Sequence, residues 1–337
     1  MMKAVGVRKG LAIEQQDSLE NTELEVPEAT GHDLLVNVKA ASVNPVDTKV
    51  RSGKKDDGEL AVLGWDASGV VEATGEKVEM FQPGDEVYYA GDVTRPGSNS
   101  EYQLVDERIA AKKPSTLTHT ESAALPLTTL TAAEGLFDRL GITSSNAEGK
   151  AILIISGAGG VGSMAIPMAK RAGMKVIATA SRDETSEWCR QRGADHVINH
   201  KRPLQPQLEA EGYDAVPYIF CLSDTEEHWH NLVECIAPQG QICSIVETEG
   251  PLPLSDLQHK SATFVWEFMF TRSMYHTSDM INQHHILQQT AELIDHHKLE
   301  TSLTTTLYGL DAEKLREAHK QLESGSMIGK LVVDFEE

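Results

Sequence analysis

The sequence is poor in aromatic residues, poor in cysteine and short of basic side chains. Among 337 residues there are 7 Phe, 7 Tyr and 4 Trp, so an aromatic cluster is a local feature and not background. Lys and Arg number 30 against 51 Asp and Glu, a formal net charge of -21. A surface of that sign repels phosphate backbones and anionic lipid, so neither nucleic acid nor a membrane is an expected partner. Solubility is the plain meaning of the charge. The four cysteines, Cys189, Cys221, Cys235 and Cys243, include no C-x-x-C pair. A zinc knuckle and a redox dithiol are therefore not indicated, and free core thiols in a reducing compartment are expected. No apolar run reaches membrane-spanning length, since the longest, 151–169, is broken by Gly157, Gly159, Gly160, Gly162 and Pro167. Residues 1–6 lead into a strand-like run with no apolar leader, which predicts a soluble, cytoplasmic protein.

What is present is arranged in two parts. Residues 1–126 carry short alternating segments at 34–40, 69–73 and 86–89, with Pro83-Gly84-Asp85 as turn chemistry between the last two. Many short strands without long helices predict an antiparallel, barrel-like domain. Near residue 123 the pattern changes. A helix is predicted over 122–140. The run 151–155 is apolar throughout, as a strand buried on both faces must be. A helix over 161–172, a strand over 175–180, a helix after Ser181, and strands over 215–221 and 241–246 follow. This alternation predicts an α/β, doubly wound parallel sheet. A helix (281–297), a strand (303–307), a helix (311–322) and a strand (330–335) complete the chain.

The sharpest motif is Gly157-Ala158-Gly159-Gly160-Val161-Gly162, between the buried strand and the next helix. That context is what a dinucleotide-binding loop needs. Gly157 permits a tight turn, Gly159 lets backbone approach a pyrophosphate, and Gly162 allows close helix-to-strand packing. The helix end then offers N–H groups and positive dipole to the phosphates. An NAD site places an acid roughly 20 residues on, at the next strand end. Here that strand ends in Ser181-Arg182, whose hydroxyl and guanidinium suit a 2′-phosphate and so NADPH (NADP+). Asp183 follows directly, within reach of a ribose. Ser181 and Glu184 also have capping-box spacing.

These segments together resemble the medium-chain dehydrogenase/reductase superfamily, over nearly the whole chain. Ala41-Ser42-Val43-Asn44-Pro45-Val46-Asp47-Thr48 is similar to the active-site loop of its quinone oxidoreductases, and Leu63-Gly64-Trp65-Asp66-Ala67-Ser68-Gly69 to the strand approach that follows. Pro83-Gly84-Asp85-Glu86-Val87, Gly193-Ala194-Asp195-His196-Val197-Ile198-Asn199 and Gly329-Lys330 resemble its other landmarks. The resemblance implies a GroES-like catalytic domain (1–126 plus 300–337), a Rossmann NADP(H)-binding domain (127–299) and a homodimer. It points to a subgroup labelled zinc-type alcohol dehydrogenase-like. Yet zinc-dependent members place Cys in the first segment and Gly-His-Glu in the second, where this chain has Asn44 and Gly64-Trp65-Asp66. Residues 85–105 lack the cysteines of a structural zinc lobe. The histidine clusters His228/His230, His284/His285 and His296/His297 are expected on helix surfaces, since neighbours one or two apart do not share a face. No metal is expected.

Without a Lewis acid, the chemistry implied is hydride delivery to an acceptor that is already electrophilic, a quinone or an α,β-unsaturated carbonyl. The resemblance implies Asn44 as hydrogen-bond donor to the acceptor oxygen. Lys49, where quinone oxidoreductases often carry Tyr, is a candidate for neutralising an enolate. Asp66 either lines the site or holds Lys49. Implied cofactor contacts are Thr131 at the carboxamide, Gly157, Gly159, Gly160, Val161 and Gly162 at the pyrophosphate, and Ser181, Arg182 and His200 at the adenosine phosphate. Cys221, Val246 and Lys330 complete that set. The aromatic-rich segment 264–270 is a candidate pocket wall, dimer edge or core element. Two other readings remain open at this point: a zinc-type alcohol dehydrogenase, and a non-catalytic NADPH-binding sensor on the same fold.

Overall fold

A computed structural model describes residues 1–336. They divide into two compact units, Met1–Leu130 with the stretch from Phe270 onward, and Thr131–Met269.

The first unit is built on a seven-stranded sheet. Leu303–Tyr308 runs parallel to Lys330–Asp334, which pairs antiparallel with Asp33–Ser42. Asp33–Ser42 pairs in turn with Asp66–Thr74, which leads to Glu86–Tyr89 and Ala110–Lys112, while Tyr102–Asp106 also joins Asp33–Ser42. The period of two sends Leu34, Val36 and Val38 to one face, where they meet Ala67, Val71, Val87, Tyr89 and Val105 in a core. Each large side chain buried there contributes about 1.5–3 kcal/mol.

The register of these strands matters more than their number. Val332 lies opposite Ser42, and Ser42 lies opposite Asp66. Three segments distant in sequence are thus brought level at one end of the sheet.

The second domain boundary is corrected by about thirty residues, because 270–299 belongs with the first unit. Hydrogen bonds hold it there. The Tyr88 hydroxyl donates to the Leu287 carbonyl at 2.6 Å, His284 Nδ1 lies 2.7 Å from the Ala110 carbonyl, and the Asp295 carboxylate accepts from the Ser115 and Thr116 amides. Helical periodicity in that segment could not say which core its apolar face would join.

The second unit is a six-stranded parallel sheet in the order His196–Ile198, Lys175–Thr179, Ala151–Ile155, Val216–Cys221, Ile236–Ser244 and Thr263–Trp266. All five residues of Ala151–Ile155 are buried, as their unbroken apolar run requires. The order reverses direction beside this strand, which makes its carboxyl end a switch point where ligands bind in such sheets.

The single helix predicted over 122–140 is three pieces: His119–Ala123, Pro126–Ala133 and a wide π-helical turn, Glu134–Arg139. The last packs closely, since a Cβ on Gly135 would lie 2.3 Å from the Phe220 ring. All four cysteines are buried and free. His228 is not a surface residue: it is 4 % exposed and stacks edge-on with His200 at 6.0 Å. Among the described residues no helix is long and apolar enough to cross a membrane.

Candidate active site

The glycine loop leaves Ala151–Ile155 through Ser156, and the backbone strain falls there. Ser156 has φ 62°, so the left-handed residue of the turn is the serine and not Gly157. Its amide donates to Thr179 Oγ1 at 2.9 Å, and its hydroxyl lies 2.6 Å from that of Ser223. Gly157 answers a packing need, because a Cβ there would sit 2.9 Å from Ala178 Cβ. A Cβ on Gly159 would find only Ser156 O, at 3.8 Å. Gly159 therefore leaves open the surface that a pyrophosphate would approach. It caps the helix Gly160–Arg171, whose first amides have no partner within the helix. Gly160 and Val161 open that helix, and Gly162 packs against Gly157.

Beyond the second strand, a pocket of about 280 Å³ is lined by Ser181, Arg182, Asp183, Ser186, Asn199, Gln207 and Glu211, among others. The helix cap is one residue later than predicted. Arg182, not Ser181, has the extended cap conformation, and its amide donates to Thr185 Oγ1 at 3.1 Å in place of Glu184. Ser181 thus faces the pocket and is not spent on the helix. Thr179 Oγ1 also meets His200 Nδ1 at 3.1 Å, and burial holds the His200 pKa below its ordinary value, with His228 adding to the effect. Cys221 donates to the Ser223 carbonyl, and burial pushes its thiol up to about 12, so it is unreactive. Val246 accepts from Thr225 Oγ1. Thr131 is 5 % exposed on Pro126–Ala133. The aromatic segment splits by position. Thr263–Trp266 is the sheet's edge strand, with Trp266 and Phe268 exposed, and Phe270 is buried in the first unit.

The first unit brings together residues that the sequence kept apart. Asn44, Asp66 and Lys330 are 1, 0 and 4 % exposed. The Lys330 ammonium donates to Asn44 Oδ1 at 2.5 Å and to the Val43 carbonyl at 3.0 Å, and lies 3.3 Å from Asp66 Oδ2. Asn44 Nδ2 donates to Asp66 Oδ2 at 3.1 Å and to the Ser42 carbonyl at 3.3 Å. The Leu127 amide donates to the other oxygen of Asp66 at 3.1 Å. Lys330 lies with these residues in the first unit, whereas the other predicted cofactor contacts lie in the second. The partner of Asp66 is Lys330 and not Lys49, which stands exposed on the helix Pro45–Gly53.

Asp47, which the sequence reading passed over, joins the group by accepting from the Asn44 amide at 2.6 Å. The spacing Asn44-x-x-Asp47 is a capping signal that could have marked it. Burial is the main cause of the shifts in this cluster. It raises Asp47 to about 7, raises Asp66 and lowers Lys330, while the ammonium pulls both carboxyls back down.

Known proteins agree with this architecture. Residues 30–115 match the alcohol dehydrogenase GroES-like domain family, and residues 192–333 match the zinc-binding dehydrogenase family. A zinc-type alcohol dehydrogenase-like protein of Staphylococcus epidermidis is 45 % identical over 99 % of this chain and 100 % of its own. The chain is a medium-chain dehydrogenase/reductase.

Other known proteins align over most of the chain. The human mitochondrial NAD(P)H oxidoreductase RTN4IP1 is 30 % identical over 90 % of this chain and 82 % of its own. A crystal structure from Rhizobium etli CFN 42, provisionally assigned to the zinc-dependent alcohol dehydrogenases, superposes with TM-score 0.94 at 45 % identity, covering 99 % of this chain and 98 % of that one. The Escherichia coli quinone oxidoreductase complexed with NADPH shares the fold, at TM-score 0.84 and 22 % identity over 98 % of this chain and 99 % of that one. This chain is thus an oxidoreductase of the medium-chain type.

A catalytic zinc, as the names of several relatives imply, does not suit the side chains found here. The indole of Trp65, in the segment where zinc-dependent members have Gly-His-Glu, can only donate, and it does so to the Arg95 carbonyl at 3.2 Å. Its ring packs edge-on against Phe270 at 6.2 Å. Asn44 offers an amide already engaged at both ends, and Asp66 is paired with an ammonium. Among the described residues, no three His, Cys, Asp or Glu side chains converge as metal ligands.

Proposed function

We propose that this medium-chain dehydrogenase/reductase is an NADPH-dependent, zinc-independent reductase of quinones or α,β-unsaturated carbonyls. One observation carries the proposal: a buried ammonium, Lys330, lies 2.5 Å from Asn44 and 3.3 Å from Asp66, in the segments where zinc-dependent members hold their metal. A divalent ion beside that ammonium would meet repulsion in a site of low dielectric. The acceptor must then be electrophilic in itself.

A bound nicotinamide dinucleotide supplies the hydride. The open face at Gly159 and the amides at the start of Gly160–Arg171 hold the pyrophosphate. Ser181 and Arg182, both lining the pocket after the second strand, hold the 2′-phosphate, with His200 beside them. Thr131 holds the carboxamide, and Cys221 and Val246 line the path between. The edge strand Thr263–Trp266, with its exposed Trp266, pairs two copies into a homodimer in the cytoplasm.

Absorbance of the reduced cofactor, followed with a simple quinone and a simple enone in parallel and with NADH as the comparison, tests the proposal. Turnover that favours NADPH and survives a chelator is the expected result. Activity that appears only with added zinc, or no turnover on either acceptor, overturns it.

A further inference from the structure

We infer that His200, with His228 behind it, makes recognition of the 2′-phosphate a proton-linked event: the protein takes up a proton when it binds NADPH and none when it binds NADH. The inference rests on the NADPH reading above and assigns a regulation to that same site.

The parallel ladder brings His200 to the strand end where this matters. Thr179 lies opposite Ile198, and just beyond that pair the Ala180 amide donates to the Ile198 carbonyl. Two positions past Thr179 stands Ser181, and two positions past Ile198 stands His200. Ser181, Arg182 and Asn199 line the pocket at this end of the sheet. His200 is half-buried, so a charge on it is screened less than one in open water.

Its hydrogen-bond partner suits a ring that changes charge. Thr179 Oγ1 lies 3.1 Å from His200 Nδ1 and accepts from the Ser156 amide at 2.9 Å. A hydroxyl both donates and accepts. It donates to the bare nitrogen of a neutral imidazole and accepts from the N–H of an imidazolium. His200 therefore gains a proton without losing this bond.

The neighbouring charges decide when it does so. His228, on the helix Thr225–Cys235, stands edge-on at 6.0 Å, and its Nδ1 is buried with no hydrogen-bond partner. An imidazolium at that position would leave a buried N–H unmet, so His228 stays neutral. Burial first, then His228 and Lys201, lower the His200 pKa, while Glu227 opposes them. Burial also lowers His228, against Glu227 and Asp224. On the pocket side stand one cation and one anion, Arg182 and Asp183. His200 is thus neutral at pH 7 in the empty site. A 2′-phosphate brings a charge of about −1.5 to −2, which favours the imidazolium. NADH has only a hydroxyl there and brings no such charge.

The sign follows from linkage. Binding raises the His200 pKa, so NADPH affinity is highest below the pKa of the complex and falls as pH rises through it, by up to about tenfold per pH unit. The phosphate itself titrates near pH ~6 with the opposite trend, so the test runs from pH 7 to pH 8.5.

Calorimetric titration of NADPH and NADH, repeated in buffers of different ionisation enthalpy, counts the protons taken up per cofactor bound. It is applied to the wild type, His200→Gln and His228→Asn, with thermal unfolding to check that each is folded. The expected wild-type result is an uptake of about 0.3–1 proton with NADPH near pH 7.5 and none with NADH, and a Kd for NADPH that rises with pH while that for NADH stays level. His200→Gln, whose amide still reaches a hydroxyl, abolishes the uptake and flattens the NADPH curve. His228→Asn keeps the uptake and moves the curve to higher pH, because one group that holds His200 neutral is gone. NADPH bound in preference to NADH with equal proton uptake overturns the inference and leaves the NADPH reading intact. Uptake that persists in His200→Gln belongs to another group and overturns it as well. An unmoved curve in His228→Asn overturns the part given to His228. Equal affinity for the two cofactors at every pH removes the 2′-phosphate reading, and this inference with it.

Discussion

Gly162 and Gly157 touch backbone to backbone: a Cβ on Gly162 would lie 2.3 Å from the Gly157 carbonyl oxygen. No side-chain rotation relieves such a contact, so Gly162→Ala must displace the loop or the helix. A loss of about 1–3 kcal/mol in stability is expected, with loss of NADPH binding. Gly159→Ala, whose Cβ would find nothing nearer than 3.8 Å, should unfold like the wild type and weaken only the cofactor. Thermal unfolding and NADPH titration of the two variants check this. Equal destabilisation of both would mean that the loop is not packed as described.

Arg182 lines the pocket beyond the second strand with Ser181 and Asp183. Arg182→Asp should weaken NADPH by about 1.5–3 kcal/mol, the worth of a charge-assisted hydrogen bond, and should leave NADH much less affected. Titration with both cofactors decides. A matching loss for the two would place the 2′-phosphate elsewhere.

His319 is fully buried on the helix Ala312–Glu323, with no partner for either ring nitrogen. Burial, helped by the Arg51 guanidinium, lowers its pKa to about 3. The unfolded chain binds a proton here near pH 6.5 and the folded chain does not. Stability from this residue is therefore complete above pH 6.5 and is lost as pH falls toward 3, by about 1.4 kcal/mol per unit within that window. His319→Leu should flatten the acid limb of a plot of denaturation midpoint against pH. An unchanged limb would assign the acid sensitivity to other groups.

Glu267 gives the opposite slope. Its carboxyl is buried, close to Glu134, and accepts from Arg139 Nε at 2.7 Å. Burial first, and then Glu134, raise its pKa, while Arg139 opposes them. The folded state holds this proton after the unfolded chain has released it, so stability falls as pH rises above the ordinary carboxylate range. Glu267→Gln should remove that decline and raise the melting temperature at pH 8 more than at pH 5. A variant with the same alkaline decline as the wild type would contradict the buried pair.

The strands and helices with strong periodicity were readable in advance. Ala151–Ile155 is where its apolar run placed it, and the helices Gly160–Arg171 and Ala312–Glu323 differ from their predicted bounds by a residue or so. Hydrophobic spacing is local information, and a helix or strand obeys it wherever it packs. The π-helical turn at Glu134–Arg139 was not readable, nor was the close approach of Gly135 to Phe220, a residue distant in sequence. Nor was the burial of His228, whose partner His200 comes from another strand end.

The sequence by itself determined the two-part architecture, the glycine loop and its place at a strand end, and the superfamily, because short-range pattern and spacing carry all of these. It also supplied Asn44 and Asp66, and the histidine and cysteine missing from the zinc-ligand segments. Only the tertiary structure decided what stands with them. Lys330 is 286 positions from Asn44, and its ammonium reaches Asn44 and Asp66 only because the last strand pairs with Asp33–Ser42 in one particular register. Contacts of that range depend on the closing of the sheet, and no local pattern encodes them.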